Sequence, residues 1–308
     1  MPTNLHQPDT LHIHMPVYNG ERYVGTAIDA VLADMEASGI TDFRLMLGDD
    51  ASTDNTLEIL EDYAHHPHIT VMPYAHNVGV GGNRARLLGE TLQADVLPRA
   101  VSVREQDDIS IPGTSAHLLE AMETHGAQLA GGALLEFQDE DTRTTRTLER
   151  TNDQDTIVRN LMGGHVPVWN PALMFDPEKV RELGLSYPTP RYCDDLLFMA
   201  RMVFGGATVH NTNEPTVYYR KHPHSITTGW NPQNALWYWR AMRQVWAESP
   251  LEPTLEDKAH VAARAILYLG LSDQGQPYKL IRNTYHTLSG NRSAKPASAA
   301  SGGGEVTA

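Results

Sequence analysis

The sequence predicts an α/β protein: a Rossmann-like, mostly parallel sheet flanked by helices, with a C-terminal helical extension. Between His12 and Asp108, short apolar runs alternate four times with segments of helical apolar spacing, and this pattern predicts a parallel sheet with helices on both faces. A polar motif follows each apolar run. After Trp230, two further amphipathic stripes predict the extension.

The first two strand–helix units are plain in the sequence. His12–Val17 is a short apolar run, and the apolar side chains of Val24–Met35 follow it at helical spacing. Phe43–Leu47 is a second apolar run, and Leu57–Tyr63 continues as a second helix. An Asn-Gly turn closes the first run and an Asp-Asp pair closes the second, so both strands are expected to end in polar loops.

The third and fourth units repeat this order. Ile69–Met72 predicts a strand, and the glycine-rich segment after it opens a helix through Leu88–Leu92. Ala100–Val103 alternates in the manner of a strand buried on one face. It leads into Arg104–Ile109, where Glu105, Asp107 and Asp108 place three carboxylates within four positions.

Such a cluster of acids is costly unless a positive charge lies between them. Mg²⁺ and Mn²⁺ are candidates because both prefer oxygen ligands. A solvated acidic turn after a strand would explain the same residues, and the cluster alone leaves both interpretations open.

The polar motifs are expected to lie together. The carboxyl ends of parallel strands meet at one edge of a sheet, where open α/β sheets bind their ligands. Four ordinary turns would account for the glycines and asparagines but not for two clusters of acids in one place. The sequence therefore predicts a single crevice lined by Pro16–Tyr18, Asp49–Asp50, Asn77–Gly79 and Glu105–Asp108.

Composition narrows the class of protein. The 308 residues are 41% hydrophobic and 20% charged, and the formal net charge of −14 disfavours a general nucleic-acid binder. The single cysteine, Cys193, excludes an internal disulfide. Met1–Asp9 lacks the apolar core of a signal peptide, and no apolar run approaches a membrane span. We therefore expect a cytoplasmic protein, with a peripheral contact to the inner face of the plasma membrane left open.

Taken together, the motifs resemble family 2 inverting glycosyltransferases. Met15–Glu21 resembles the opening of that family, and Asp49–Thr56 resembles its D-D-G-S-T-D-x-T motif. Asn77–Arg84 is similar to its N-x-G…A-R-N segment, and Gln106–Pro112 to its D-x-D-D-I-x-x-P metal motif. Further matches occur within 165–227. The resemblance implies a GT-A fold, a nucleotide-sugar donor and a Mn²⁺ or Mg²⁺ ion.

The resemblance also implies roles on the donor side. Tyr18 would pack on the nucleotide base, Asp50 would accept a hydrogen bond from the ring N–H of uracil or thymine, and Arg84 would meet the ribose or diphosphate. A carboxylate at the position of Asp50 suits a base that offers an N–H. The donor-binding candidates are Pro16, Tyr18, Asn19, Glu21, Asp49, Asp50, Asn77, Gly79, Arg84, Gln106 and Asp107.

The metal candidates are led by Asp108, followed by Asp107 and Glu105. His222 is a further candidate because Thr216–Thr227 resembles the family's Y-R-x-H-x-x-S-x-T segment. In that segment His222 or Arg220 would close over the donor diphosphate. Fifteen histidines in the chain make a surface histidine the default alternative.

The catalytic candidates are Asp195 and its neighbour Asp194, at the start of a predicted helix. The family has an E-D pair before an aromatic- and Arg-bearing helix, its second acid being the catalytic base, and Asp195 matches that acid. An inverting transfer requires a carboxylate that removes the proton of the attacking hydroxyl. Alternatively, both acids complement the helix dipole, which contributes about 0.3–1 kcal/mol.

Acceptor candidates come from the loop Gly163–Asn170. His165, Trp169 and Asn170 could contact an acceptor sugar, or the loop's aromatic side chains could pack against the core.

The sequence departs from the family pattern at several positions. Glu105 replaces a common Asp, and Arg104 before it could form an ion pair with it. Ala51 replaces the usual Gly, while Ala85 and Leu87 replace the Asn and Gly that usually follow the arginine.

The expected organisation is a GT-A catalytic domain over residues 1–228, with a nucleotide-sugar half at about 10–115 and an acceptor half at about 116–228. A helical extension follows at 229–292 and a disordered tail at 293–308, which is rich in Ala, Ser and Gly. The Trp-rich helix Asn234–Trp246 could lie on a membrane surface or bind a partner, but without a dense basic face it is expected to pack on the catalytic domain.

The predicted function is a metal-dependent inverting glycosyltransferase that uses a UDP- or dTDP-sugar and a hydroxyl acceptor, a carbohydrate or lipid-linked molecule, in synthesis of cell-surface polysaccharide or glycoconjugate. One alternative is a non-catalytic nucleotide-sugar-binding relative that acts as a subunit. A nucleotidyltransferase is another, although Pro16–Arg22 has no basic, glycine-rich phosphate loop. No nucleic acid is expected as a partner.

Overall fold

The computed structural model describes residues 11–138, 141–188, 193–222 and 232–268. The predicted tail at 293–308, the end of the helical extension and the matched residues 223–227 lie outside them. None of the helices among the described residues has the length and apolar character that crossing a membrane requires.

The described elements follow the predicted order in the first half of the chain. The strands are β1 (Leu11–Val17), β2 (Phe43–Asp49), β3 (Ile69–Pro73), β4 (Ala100–Val103), β5 (Ile109–Ser110), β6 (Leu129–Gln138), β7 (Asp141–Leu148), β8 (Met174–Phe175) and β9 (Val209–Lys221). The helices are α1 (Val24–Ala37), α2 (Thr56–Tyr63), α3 (Val80–Leu92), α4 (Thr114–His125), α5 (Gln154–Met162), α6 (Pro177–Glu182), α7 (Asp194–Phe204), α8 (Pro232–Glu248) and α9 (Leu255–Tyr268), with a 3₁₀ turn at Asn170–Ala172.

One sheet runs through the molecule in the order β3-β2-β1-β4-β8-β6-β9-β5, with β7 paired to β6. The strands β3, β2, β1 and β4 are parallel, as predicted. Beyond β4 the pairing is mixed, because β8 is antiparallel to both β4 and β6 while β9 is parallel to β6. The predicted α/β class is therefore confirmed, and its second half is a mixed sheet.

Two apolar clusters cover the faces of this sheet. One contains β1 and β2 side chains such as Ile13 and Leu45, packed against Ile28 of α1 and Leu118 of α4. The other joins β4 to α7 through residues such as Phe198. The central strands β1 and β4 are thus buried along their whole length, as the near-continuous apolar runs of a parallel sheet require.

The C-terminal helices continue the second cluster. Tyr238 and Met242 of α8 and Val261 of α9 are fully buried in it. The indole N–H of Trp246 donates to the carbonyl of Met162 at 2.9 Å. The expected packing of this Trp-rich helix on the preceding chain is therefore observed.

Candidate functional site

The ends of β1 and β4 are joined directly beside the predicted crevice. The amide side chain of Gln106 accepts from the backbone N–H of Tyr18 at 2.8 Å and donates to the carbonyl of Tyr18 at 3.0 Å. The Tyr18 side chain is 43% exposed. A large aromatic ring is thus presented to solvent from a backbone that is held at two points.

Two polar side chains of the loop after β1 accept hydrogen bonds from the backbone of the loop after β2. The Asn19 carbonyl oxygen accepts from Thr53 N–H at 2.8 Å, and the Glu21 carboxylate accepts from Asn55 N–H at 3.0 Å, at the start of α2. These predicted donor-binding residues therefore hold the loop that follows Asp49 and Asp50. Ala51, at the usual glycine position, has a φ of 59°.

The acid pair at the end of β2 is buried. One carboxylate oxygen of Asp50 accepts from Gly79 N–H at 2.8 Å and the other from Val78 N–H at 2.9 Å, so Asp50 holds the loop that contains Asn77. Arg86 approaches Asp50 at 3.4 Å. The Asp49 carboxylate accepts from Ser52 N–H at 3.2 Å.

Arg84 lies between two carboxylates from distant parts of the chain. One terminal nitrogen donates to Asp194 at 2.6 Å and the other to Glu105 at 2.5 Å. The same Glu105 oxygen accepts from the Asn170 amide at 2.5 Å. Burial opposes the charge of Arg84, but Asp194 and then Glu105 outweigh it and hold its pKa well above the ordinary value.

Glu105 therefore pairs with Arg84 and not with the preceding Arg104. The Arg104 guanidinium is buried, donates to the hydroxyls of Ser102 and Ser110, and lies 3.7 Å from Asp34 of α1. Burial raises the pKa of Glu105 despite the opposing charge of Arg84.

Asp107 and Asp108 face the end of β9. The Asp107 carboxylate lies 2.8 Å from the His222 ring nitrogen, and one Asp108 oxygen accepts from Arg220 N–H at 2.8 Å. The other Asp108 oxygen is buried without a hydrogen-bond partner. Burial and then the charge of Asp107 raise the pKa of Asp108 well above its ordinary value.

These residues fit the expected cation chemically. A buried carboxylate oxygen without a partner, beside a second carboxylate and an imidazole, is a donor set that suits Mn²⁺ or Mg²⁺. Glu105 fits less well because its bonded oxygen already accepts from Arg84 and Asn170. In the described part of the chain, no three His, Cys, Asp or Glu side chains are arranged as a ready-made metal cluster.

Asp194 and Asp195 occupy the first turn of α7, as predicted. Asp194 is buried against Arg84, while Asp195 is half-buried and its carboxylate accepts from Leu196 N–H at 2.8 Å. Burial and then Asp194 raise the pKa of Asp195, and Arg84 and Arg264 oppose that rise. Cys193, immediately before them, has a φ of 62°.

The three acceptor candidates have different surroundings. Asn170 contacts Glu105 within the site. The ring of His165 lies 4.8 Å from that of His260 on α9, and the Trp169 ring lies 3.6 Å from the Arg150 guanidinium carbon. Asn170 is thus in direct contact with one of the acids that follow β4.

Two residues near the candidate base were not predicted. The buried Tyr187 stacks on Phe198 at 4.1 Å, and its pKa is raised by burial in a neighbourhood that includes Asp194 and Asp195. Arg264 of α9 donates to the Gly164 carbonyl at 3.1 Å. No sequence pattern singled out Arg264, whose role depends on the packing of α9 against the loop that contains Gly164.

Residues 12–184, more than half of the chain, match the family described as "Glycosyl transferase family 2". The chain belongs to this family. The family and the glycosyltransferase class predicted from the sequence are thereby confirmed, although Asp194, Asp195 and His222 lie beyond the matched residues.

Two solved structures share the fold. TarS of S. aureus (residues 1–349) in complex with UDP-GlcNAc superposes with a TM-score of 0.62 at 17% identity, covering 92% of this chain and 80% of that one. The mannosyltransferase PcManGT of Pyrobaculum calidifontis, in complex with GDP-Man and Mn²⁺, gives 0.56 at 14% identity, covering 91% and 80%. The GT-A fold is therefore confirmed for this family 2 chain.

A sequence relative matches a shorter segment. Chondroitin synthase of Escherichia coli is 36% identical over 70 residues, which is 22% of this chain and 10% of that protein. The chain thus matches only a small part of that relative's length.

Proposed function

We propose that this family 2 protein is a metal-dependent inverting glycosyltransferase that transfers a sugar from a UDP- or dTDP-sugar to a hydroxyl acceptor. One observation carries the proposal: Arg84 bonds both Asp194, the neighbour of the candidate base, and Glu105, in the acidic segment that contains the candidate metal ligands. These two ion pairs support a single site that contains both the candidate base and the candidate metal ligands.

Asp195 is the proposed general base. Its carboxylate accepts the proton of the acceptor hydroxyl, whose oxygen forms a bond to the anomeric carbon of the donor sugar. The bond from that carbon to the diphosphate breaks on the opposite face, and its electron pair leaves with the nucleotide. Burial raises the pKa of Asp195, which makes it a stronger base than an exposed aspartate.

Asp108 and Asp107, with His222, would hold the cation. When bound, the ion supplies positive charge that stabilises the leaving diphosphate. Because both terminal nitrogens of Arg84 hold carboxylates, we assign the diphosphate contact to Arg220 at the end of β9 instead.

The donor preference rests on Tyr18 and Asp50. We propose that Tyr18 stacks on the base and that Asp50, with Asn77 and Gly79 beside it, selects an N–H donor. Calorimetry with UDP, dTDP and GDP tests this assignment, and we expect tighter binding of UDP or dTDP. The similarity to a GDP-Man complex makes GDP a real competitor, and tighter GDP binding would contradict the assignment.

The acceptor is proposed to be a carbohydrate or a lipid-linked molecule in surface polysaccharide or glycoconjugate synthesis. The segment shared with a chondroitin synthase supports this class of acceptor. The rival of a non-catalytic subunit predicts nucleotide-sugar binding without turnover.

Replacement of the base tests the proposal. Asp195→Asn should lower turnover by roughly 10²–10⁴-fold with donor affinity nearly unchanged, because loss of a general base acts on the chemical step. Asp194→Asn should cost less turnover. The measurement is release of nucleoside diphosphate together with calorimetry of the donor, after a screen of nucleotide sugars with and without Mn²⁺.

A matched control is Asp176→Asn, which changes an aspartate that caps α6 by accepting from Glu178 N–H at 2.8 Å. It should leave turnover unchanged. Full activity of Asp195→Asn would remove the base assignment, and absence of turnover with every donor that binds would favour the non-catalytic alternative.

A further inference from the structure

The strongest unassigned feature is the chain of contacts from Asp194 through Arg84 to Glu105 and Asn170. Arg84 is 7% exposed and Asp194 is 2% exposed. The two carboxylates approach different terminal nitrogens of one guanidinium, so the planar side chain fixes both at once. The contacts join α3, α7, the end of β4 and the 3₁₀ turn.

We propose that Arg84 is a positioning residue that ties the candidate base Asp195, through its neighbour Asp194, to the acidic end of β4. This inference rests on the proposed function and deepens it, because it assigns Arg84 to the base and not to the donor diphosphate. Asp194 then anchors the first turn of α7 and leaves Asp195 to react.

The surroundings of Asp195 support this role. The charged and titratable groups around it are Asp194 and Cys193 on its own segment, Arg84 from α3, Arg264 from α9 and the buried Tyr187. Arg84 and Arg264 are the cations in this set, and both favour the ionised carboxylate. A base that remains ionised at neutral pH despite burial needs such charges.

Kinetics of Arg84→Met and Arg84→Lys test the proposal. In Arg84→Met, we expect kcat to fall by about 100-fold, because misplacement of a reacting group by about 1 Å has that effect, while KM for the donor changes little. The acid limb of the kcat–pH profile should also move to higher pH, because the cation that favours ionised Asp195 is gone. In Arg84→Lys, the acid limb should stay at the pH of the parent because the positive charge is retained. Part of kcat should be lost because a lysine ammonium lacks the two terminal nitrogens that hold Asp194 and Glu105 together.

The single cysteine provides a second measurement that does not depend on catalysis. Cys193 immediately precedes Asp194 and is the one thiol of the chain. If Arg84 anchors the start of α7, the folded Arg84→Met protein should react with a thiol reagent at least about tenfold faster than the parent, because local opening exposes the thiol. Arg84→Lys, which keeps the charge, covers the case in which the methionine variant does not fold.

Arg201→Lys is the matched control. Arg201, on the outer part of α7, pairs with Glu248 of α8 at 2.9 Å, so its replacement weakens an ion pair of the same helix away from Asp194. It should leave the pH profile and the Cys193 rate unchanged. Unchanged kcat, pH profile and Cys193 rate in both Arg84 variants would overturn the positioning role, as would a loss confined to donor KM.

The two proposals can fail separately. If no donor is turned over by the parent protein, the proposed function fails while the Cys193 rate still decides whether Arg84 anchors α7. If the parent is active and both Arg84 variants match it in every measurement, the positioning role alone fails.

Discussion

Asp108 is the residue at which stability and proposed function conflict most clearly. Its carboxylate is 5% exposed, has one oxygen without a partner and lies near Asp107. The pKa of Asp108 is raised in the folded protein. The folded state is therefore destabilised as pH rises above the pKa that the same carboxyl has in the unfolded chain. A cation bound between the two acids would relieve this penalty.

The first residue-scale prediction is that Asp108→Asn abolishes Mn²⁺-dependent UDP binding and increases the free energy of unfolding in EDTA. We expect a gain of about 1 kcal/mol or more at neutral pH, because a neutral side chain removes the buried charge. The gain should fade as pH falls toward the unfolded pKa, where the parent carboxylate is itself protonated. Calorimetry with Mn²⁺ and urea denaturation measure the two effects.

Asp95→Asn is the control for this prediction, because Asp95 is an exposed acid at the surface. It should change neither quantity. Undiminished Mn²⁺-dependent UDP binding by Asp108→Asn would remove Asp108 from the metal site.

At the scale of elements, a buried polar cluster joins α1, β4, β5 and α4. The Asp34 carboxylate accepts from the hydroxyl of Ser115 at 2.6 Å and lies 3.7 Å from Arg104. Arg104 immediately precedes Glu105, so this cluster fixes the backbone from which the acidic segment departs. Burial lowers the pKa of Arg104, and Asp34 opposes that change.

We predict that Asp34→Leu lowers the free energy of unfolding by about 3–5 kcal/mol, because it leaves the Arg104 cation buried without its carboxylate. The double variant Asp34→Leu with Arg104→Met should recover much of the loss, since it removes both charges. Glu182→Ala, which breaks the exposed pair with Lys179, should cost less than about 1 kcal/mol. Urea denaturation of the four proteins tests the coupling, and equal losses in the single and double variants would contradict it.

The C-terminal helices also belong to this scale. Arg264 and His260 of α9 contact Gly164 and His165 in the loop predicted to bind the acceptor. The extension therefore supports this loop as well as completing the core. This makes α9 part of the surroundings of Asp195.

For the molecule as a whole, the pH dependence of the unfolding free energy is the sum of contributions of opposite sign from several buried groups. His12 and His14 on β1 both contact the Thr91 hydroxyl, at 2.9 and 2.8 Å. Burial lowers the pKa of His12 to about 4 and that of His14 to about 3. The raised pKa values of Asp108 and Asp195 act in the opposite sense, so the histidine contribution is best measured as a difference between variants.

We predict that the two histidines destabilise the fold as pH falls below 6.5, their unfolded pKa, because the unfolded chain binds protons that the folded chain does not. The loss continues until pH reaches the folded values. At pH 5 it is on the order of 2 kcal/mol for each histidine. The double variant His12→Gln with His14→Gln should therefore show a flatter dependence of unfolding free energy on pH.

The control is His65→Gln, which replaces an exposed histidine. Its pH profile should parallel that of the parent between pH 7.5 and 4.5. A double variant with the parent's slope would show that protonation of the β1 histidines is not coupled to folding.

The fold was largely predictable from local patterns. The runs at β1 to β4 are apolar because both faces of a parallel sheet are buried, so their positions were visible without long-range information. The short strands β5 and β8 were not predicted, because two-residue strands carry no periodicity and form only where a partner strand is present. The turn after β3 and the acids after β4 were recognisable because glycine and carboxylate chemistry is local.

By itself, the sequence determined the α/β class, the family and the set of polar residues that meet at the strand ends. Only the tertiary structure decided which of those residues pair with one another. Arg84 contacts Glu105, 21 positions away, and Asp194, 110 positions away, while Arg104 turns from its neighbour Glu105 toward Asp34. Periodicity and motifs report the local chain, whereas the partner of a buried charge depends on which distant segments the sheet order brings within about 3 Å.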